Sequence, residues 1–281
     1  MVDEARKEVG RSRLEPTLLT VTAVMRVSPR MARVRLTGGP LVALPQDCAG
    51  AHIKLFFARA GQRVPCLPEL GPNGLVWPGA DARPITRTYS IRRFDAAAPA
   101  VEVDFVLHGD DGPASAWAAR AAPGDVIGFA GPGGPYPLLA ATNDVLLAGD
   151  MSALPAISAL LESLPASATG RAFIEIPHAD DRQSLVYEAD VPITWLVSDT
   201  LPGALDTALI RAVRADVAPV GSAAWVAGEN ATVLALRDHL LRVRGYDRRC
   251  IYTVPYWKAA AAEEHYHGER HRVMDAFNAA D

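Results

Sequence analysis

Four consecutive residues, Arg87-Thr88-Tyr89-Ser90, put a guanidinium, a phenol and a hydroxyl within reach of one another on a stretch that reads as a strand. That set suits a flavin. A guanidinium pairs with a pyrophosphate, a phenol ring covers an isoalloxazine face, and a hydroxyl hydrogen-bonds near the reactive ring nitrogen. The same tetrapeptide also suits an ordinary solvated strand, so its meaning depends on what surrounds it. Further along, Asp104-Phe105-Val106-Leu107-His108-Gly109 leads into Gly112-Pro113-Ala114-Ser115-Ala116-Trp117. A strand there enters a glycine-rich turn and then a helix start. Backbone N–H groups at such a start, with the Ser115 hydroxyl, form a site for an anion such as a pyrophosphate. Helix capping is the plain alternative for Ser115, and His108 reads equally well as a turn histidine.

In the second half of the chain, Gly149-Asp150 follows an apolar strand and opens a helix, and Gly228-Glu229 repeats the layout. Glycine at this place allows close approach of a nicotinamide dinucleotide. A plain strand-to-helix turn fits as well, because no Gly-x-Gly-x-x-Gly string occurs here. Arg171, Arg182 and Arg211 are candidates for a 2′-phosphate, or ordinary surface charges. Lysine is scarce, Lys7, Lys54 and Lys258 being the three among 28 basic residues. His265, His267 and His271, interleaved with Glu263, Glu264 and Glu269, have helical spacing that could chelate a divalent ion. They also make a polar helix face, which is the expectation taken here, so no metal is expected. No Ser-His-Asp or Cys-His arrangement stands out. Cys48, Cys66 and Cys250 are odd in number and widely spaced, which gives neither a disulfide framework nor a zinc clip.

Two kinds of scaffold must hold these groups. The first half reads as short strands over 18–27, 31–36, 52–57, 87–92, 101–107 and 125–129, split by Gly/Pro turns and by one helix over 112–121. Val101, Val103 and Phe105 alternate with Glu102 and Asp104, the pattern of a half-buried strand. Such a series suggests a sandwich or a small closed barrel. Gly131-Pro132-Gly133-Gly134-Pro135 is the expected linker. Beyond it, apolar strands over 144–148, 171–176, 193–197, 223–227 and 250–254 alternate with helices over 153–164, 205–213 and 231–244. That alternation argues for a parallel sheet covered on both faces. An Ala-rich helix over about 259–280 lies outside it.

Composition bounds the rest. The chain has 281 residues, 49% hydrophobic and 21% charged, enough to bury one or two cores. Its net charge of -4 gives no footprint for nucleic acid. No apolar run reaches the roughly 18–20 residues of a membrane span. The first fifteen residues are charged and lack an apolar core, so no secretory signal is expected and a cytoplasmic setting is.

Taken together, these segments resemble the siderophore-interacting proteins, flavin-dependent ferric-siderophore reductases of the ferredoxin-reductase-like superfamily. The resemblance runs from about Leu18 to His267. It is carried by Gly50-Ala51-His52-Ile53-Lys54-Leu55, by Arg87–Arg92, by Asp104–Trp117 and by Pro123-Gly124-Asp125. Leu146–Asp150 with Ser152–Ile157, Trp225–Glu229 and Tyr256-Trp257-Lys258 complete it. It implies an antiparallel β-barrel FAD-binding domain over 15–135. A parallel α/β NAD(P)H-binding domain over 140–281 would follow, with the extra C-terminal helix. It implies FAD contacts from Arg87, Thr88, Tyr89, Ser90, Asp104, His108, Gly112, Ala114, Ser115 and Trp257. It implies NAD(P)H contacts from Gly149, Asp150, Ser152, Gly228 and Glu229, and siderophore contacts from Lys54 and Lys258.

The implied reaction passes a hydride from NADPH or NADH to FAD, and then electrons to Fe(III) in a bound siderophore. No acid, base or nucleophile of the protein is needed. A monomer is expected, with ferredoxin as another donor. The alternatives are a general flavin-dependent reductase and a non-catalytic siderophore carrier or sensor. Three departures from the family pattern stand out. Met151 sits where an acidic residue is usual, Pro255 replaces a glycine, and Ala259-Ala260 replaces a more basic stretch. Cation supply could shift to Arg270 and Arg272.

Overall fold

The structure is a computed structural model that describes residues 14–71, 74–110, 112–134, 138–139, 143–221, 223–261 and 263–279. Lys7, Pro135 and the side chains of Glu263, Glu264, His265, His267 and His271 lie outside the described residues. The chain divides into two compact units, 1–138 and 139–281.

The first unit contains β1 (Leu14–Ser28), β2 (Met31–Thr37), β3 (His52–Phe57), β4 (Glu69–Gly71), β5 (Gly74–Val76), β6 (Ile85–Ser90), β7 (Arg93–Asp95), β8 (Ala100–Val106), α1 (Pro113–Arg120) and β9 (Val126–Gly133). Seven of the strands form one antiparallel sheet in the order β6-β3-β9-β1-β2-β8-β7. Its two edge strands, β6 and β7, are neighbours in the chain, so the sheet must curl round on itself. The two residues between them make the closure. Ile91 donates its N–H to the Ala51 carbonyl on the β3 side, and Arg92 donates to the Glu102 carbonyl of β8.

Alternation along the strands turns Leu19, Val34, Leu36, Ile53, Leu55, Val101, Val103, Phe105, Ile127 and Phe129 into one core. Trp117 of α1 packs on Phe57 and Phe105, each at 5.5 Å between ring centroids, and so holds α1 against the sheet. Burying a side chain the size of Phe105 contributes roughly 1.5–3 kcal/mol.

Two expectations need correction. The stretch 131–133 is not a linker: it ends β9, pairing Gly131 with Leu14 and Gly133 with His52. Asp104 is not on a solvated face either. It is 3% exposed because its cross-strand partner Arg33 grips it at 2.7 and 2.8 Å, with Arg92 at 4.0 Å. The ladder continues through Glu102, Arg35 and Asp95 on the side of β2 and β8 opposite the core. Alternation alone does not reveal that a charged partner will cover a charged residue.

The second unit contains β10 (Asp144–Asp150), α2 (Leu154–Ser163), β11 (Thr169–Ile176), β12 (Ile193–Val197), α3 (Ala208–Ala215), β13 (Ala223–Glu229), α4 (Asn230–Asp238), β14 (Ile251–Trp257) and α5 (Glu263–Ala279). All five strands are parallel, in the order β12-β11-β10-β13-β14. The order reverses between β10 and β13. In such a sheet the crevice beyond the carboxyl ends of the strands at that point is where ligands bind. Among the described residues no helix is long and apolar enough to cross a membrane.

The helix expected over 205–213 starts later, at Ala208, because the Thr207 hydroxyl accepts the Ile210 N–H and fixes the cap there. The helix expected over 231–244 is α4 followed by a π turn over His239–Val243. His239 in that turn is 9% exposed, and its Nε2 is buried with no partner. Burial, with Arg214 and Arg244 nearby, lowers its pKa below the usual histidine value, against a smaller opposing pull from Asp238. The native state therefore binds a proton less readily than the unfolded chain. Stability is full above about pH 6.5 and is lost as pH falls toward and through the lowered folded value. Urea melts at about pH 7.5 and about pH 5.5 are expected to show this loss. In His239→Gln the acid-dependent part should disappear; an equal pH slope in the variant would assign it elsewhere.

Candidate functional site

In the first unit, β6 carries Arg87-Thr88-Tyr89-Ser90 along the edge of the barrel. Its register with β3 pairs Lys54 with Thr88, Ile53 with Tyr89, Leu55 with Arg87 and His52 with Ser90. Cross-strand partners share a face. Thr88 and Ser90 thus lie on the face of Lys54 and His52, while Arg87 and Tyr89 lie on the other. Lys54 Nζ donates to Thr88 Oγ1 at 2.5 Å. Tyr89 is half-buried and rests its ring on Phe105 at 4.5 Å, and Arg87 Nη1 donates to the Thr86 carbonyl at 2.8 Å. Ser90 is 6% exposed.

The turn before α1 explains the other half of the motif. His108 N–H donates to Ser115 Oγ at 3.0 Å, and that hydroxyl donates to the Gly109 carbonyl at 2.8 Å. Ser115 is 1% exposed, so its hydroxyl ties the turn together instead of facing a ligand. The His108 ring lies against Gly112, the N-cap of α1. No side chain caps this helix, and Pro113 has no N–H to offer. The backbone N–H groups of Ala114 and Ser115 are therefore left without helical partners, as first-turn donors are. An uncapped helix start, a guanidinium and a half-buried phenol make a donor set that fits a flavin dinucleotide. Asp104 does not join it, being held by Arg33.

In the second unit, the site residues meet where the strand order reverses. Asp150 ends β10 and accepts four hydrogen bonds. Its Oδ1 takes Ser152 N–H at 2.8 Å and Ser152 Oγ–H at 2.5 Å; its Oδ2 takes Glu229 N–H at 2.7 Å and Trp257 Nε1–H at 2.8 Å. Burial pushes the Asp150 pKa up, against the pull of these bonds. Two glycines make room. A Cβ at Gly149 would stand 2.6 Å from the Ala153 Cβ and 2.8 Å from the Ala227 carbonyl oxygen. Gly228 has φ +140, and a Cβ there would meet the Asp150 carboxylate at 2.5 Å. Glu229 caps α4: its Oε2 accepts Ala231 N–H at 2.6 Å and Thr232 N–H at 3.2 Å, while Oε1 accepts Ala259 N–H at 3.2 Å.

Asp150, Glu229 and Trp257 border an open cleft that also takes in Glu175, Ser198, Thr200 and Thr207. Glu175 was not among the sequence candidates. The signal was present: a carboxylate just before the end of an otherwise apolar strand, Ala172-Phe173-Ile174-Glu175-Ile176.

The structure regroups other candidates. Trp257, expected with the flavin residues, belongs to the second unit and is bound to Asp150. Lys258 also lies there, held by both carboxylate oxygens of Glu269 at 2.7 and 2.8 Å, whereas Lys54 is in the first unit. Arg171 is held by Asp216 and the Pro219 carbonyl, and Arg211 by Asp199 and Asp206. Neither lines the cleft, and nor does the exposed Arg182. Met151 is 4% exposed, so the acidic residue usual there would be buried in this chain. Cys48 is fully buried, which pushes its thiol up to about 12 and leaves it unreactive.

Comparison with known proteins follows the same two-part division. The description "Siderophore-interacting FAD-binding domain" matches residues 20–136, and "Siderophore-interacting protein" matches residues 142–260. The ferric vibriobactin reductase ViuB of Vibrio cholerae is 38% identical over 266 residues, covering 94% of this chain and 97% of that protein. The NADPH-dependent ferric-chelate reductase of Escherichia coli is 30% identical over 245 residues, covering 86% and 92%. The crystal structure of the siderophore-interacting protein SipS from Aeromonas hydrophila superposes with a TM-score of 0.79 at 37% identity, covering 93% of this chain and 98% of that one.

Proposed function

Because the chain belongs to the siderophore-interacting protein family, we propose that it is a ferric-siderophore reductase. It takes electrons from a pyridine nucleotide and delivers them to Fe(III) in a bound siderophore, releasing Fe(II). The observation that carries this is the near full-length similarity to a ferric vibriobactin reductase, together with a first unit that holds Arg87 and Tyr89 on one face of an edge strand and an uncapped helix start at α1. FAD, when bound, supplies the conversion of a two-electron hydride into single electrons.

The chain's own groups bind, orient and attract. Arg87 and the Ala114 and Ser115 N–H groups hold the pyrophosphate. Tyr89 covers the ring system, and the Ser90 hydroxyl lies near its reactive edge. His108 and Gly112 shape the turn, and Thr88 positions Lys54. The flavin domain spans 15–135 and the dinucleotide domain 140–281. Gly149, Asp150, Ser152, Gly228 and Glu229 build the dinucleotide cleft. The protein works as a monomer in the cytoplasm, where reduced pyridine nucleotide is available. Ferrous iron binds hard oxygen chelators far more weakly than ferric iron does, so reduction alone frees the metal.

Lys54 provides a mobile point charge for an anionic ferric chelate. Lys54→Ala is expected to keep its FAD and lose about fivefold in kcat/KM for an anionic ferric siderophore, the loss of one solvent-screened charge contact of about 1 kcal/mol. Little change is expected with a neutral chelate. Equal rates with both chelates would remove Lys54 from the substrate site. The reading as a whole is tested by comparing Fe(II) release from ferric siderophores with quinone reduction. Faster quinone turnover, with no Fe(II) captured, would make the protein a general flavin reductase.

A further inference from the structure

The cleft of the second unit offers acceptors where a phosphate needs donors. Among its described lining residues are three carboxylates, Asp150, Glu175 and Glu229, and no lysine, arginine or histidine. Two neighbouring helix starts, those of α4 and α3, are closed to an anion. The first turn of α4 is capped by Glu229. The first turn of α3 is capped twice, with Leu209 N–H held by Glu175 Oε2 at 3.1 Å and Ile210 N–H by the Thr207 hydroxyl.

The three carboxylates differ in what they have left. An ionised carboxyl group has about four acceptor positions. Asp150 uses four, which makes it a positioning residue. Glu229 uses three. Glu175 uses two, one with Ser198 Oγ at 2.8 Å and one with Leu209 N–H, and so keeps two for a ligand. Glu175 stands near the carboxyl end of β11, next to β10. In dinucleotide-binding sheets an acidic side chain beyond the first strand accepts the hydroxyl hydrogens of a ribose.

We propose that Glu175 is the specificity-determining residue of this cleft. It accepts a ribose hydroxyl of the donor and excludes a 2′-phosphate, so the electron donor is NADH and not NADPH. This rests on the reading of the second unit as the pyridine-nucleotide domain. Both nucleotides share the pyrophosphate, whose cost cancels in the comparison. The extra phosphate adds nearly two negative charges beside three carboxylates with no cation to receive it.

The test uses the FAD-loaded, oxidised protein. ADP-ribose and its 2′-phosphorylated form are titrated by calorimetry, and anaerobic flavin bleaching by NADH and NADPH is followed by stopped flow. ADP-ribose is expected to bind at least tenfold tighter, and NADH to bleach the flavin at least tenfold faster at equal low concentration. Glu175→Gln should narrow both ratios at least tenfold. Thr200→Arg, an exposed change at the cleft, should narrow them without touching the α3 cap. Equal or tighter binding of the phosphorylated form, or ratios unmoved in both variants, would overturn the proposal. Should neither nucleotide bind or bleach a flavin that dithionite still bleaches, the donor reading itself fails and takes this inference with it.

Discussion

Arg87→Ala is expected to purify without its yellow cofactor. A guanidinium on a pyrophosphate makes charge-assisted hydrogen bonds, each contributing about 1.5–3 kcal/mol, so losing a two-bond grip weakens FAD binding by about a hundredfold or more. The fold should survive. Arg87 is half-buried on an edge strand, and the barrel core runs through Leu55, Phe105 and Phe129, which the change leaves in place. Flavin content per polypeptide and a FAD titration of the stripped protein check this, with circular dichroism as the control. Arg87→Lys is expected to recover part of the affinity, since a lysine keeps the charge but not the fork. Full flavin content in the alanine variant would mean that the pyrophosphate is held by α1 alone.

Asp150→Ala is expected to separate the two half-reactions. The substitution strips partners from Glu229 N–H, Trp257 Nε1–H and both donors of Ser152. Leaving such groups unpaired costs about 1–3 kcal/mol each where they stay buried. The loss falls on the second unit, at the point where the strand order reverses. Flavin content should be largely unchanged, because Arg87, Tyr89, Ser90, Ala114 and Ser115 lie in the first unit and only Trp257 of the expected flavin contacts lies in the second. Bleaching by reduced pyridine nucleotide should slow by about a hundredfold or more, an activation cost near 2.7 kcal/mol. Bleaching by dithionite should not slow. Loss of the flavin together with the nucleotide reaction would show that Asp150 does more than position the cleft.

The fold was readable because its signals were local and strong. Period-two patterns at Val101–Phe105, apolar strands such as Val145–Ala148, and Gly/Pro punctuation located most elements. Which residues close the barrel was not readable. Closure depends on Ile91 and Arg92 reaching opposite partners, Ala51 and Glu102, which no short window contains. The site divides in the same way. Contiguous strings such as Arg87–Ser90 and Gly149-Asp150 stood out as candidates. Residues whose meaning comes from distant partners did not. Asp104 looked like a flavin residue until Arg33, far off in sequence, was seen to hold it. Glu175 was not singled out in the sequence, because its meaning comes from the Ser198 hydroxyl and the Leu209 amide that converge on it. Lys258 looked free until Glu269 of α5 was found against it.

The most direct measurement is an anaerobic double mixing of the FAD-loaded protein, first with NADH and then with a ferric siderophore, read at the visible flavin band with a ferrous chelator present. The account predicts that NADH bleaches the flavin and that the ferric siderophore restores it. Two Fe(II) should be captured for each flavin reoxidised. A flavin that NADH leaves yellow, or one that bleaches and then stays colourless when the ferric siderophore arrives, would contradict it.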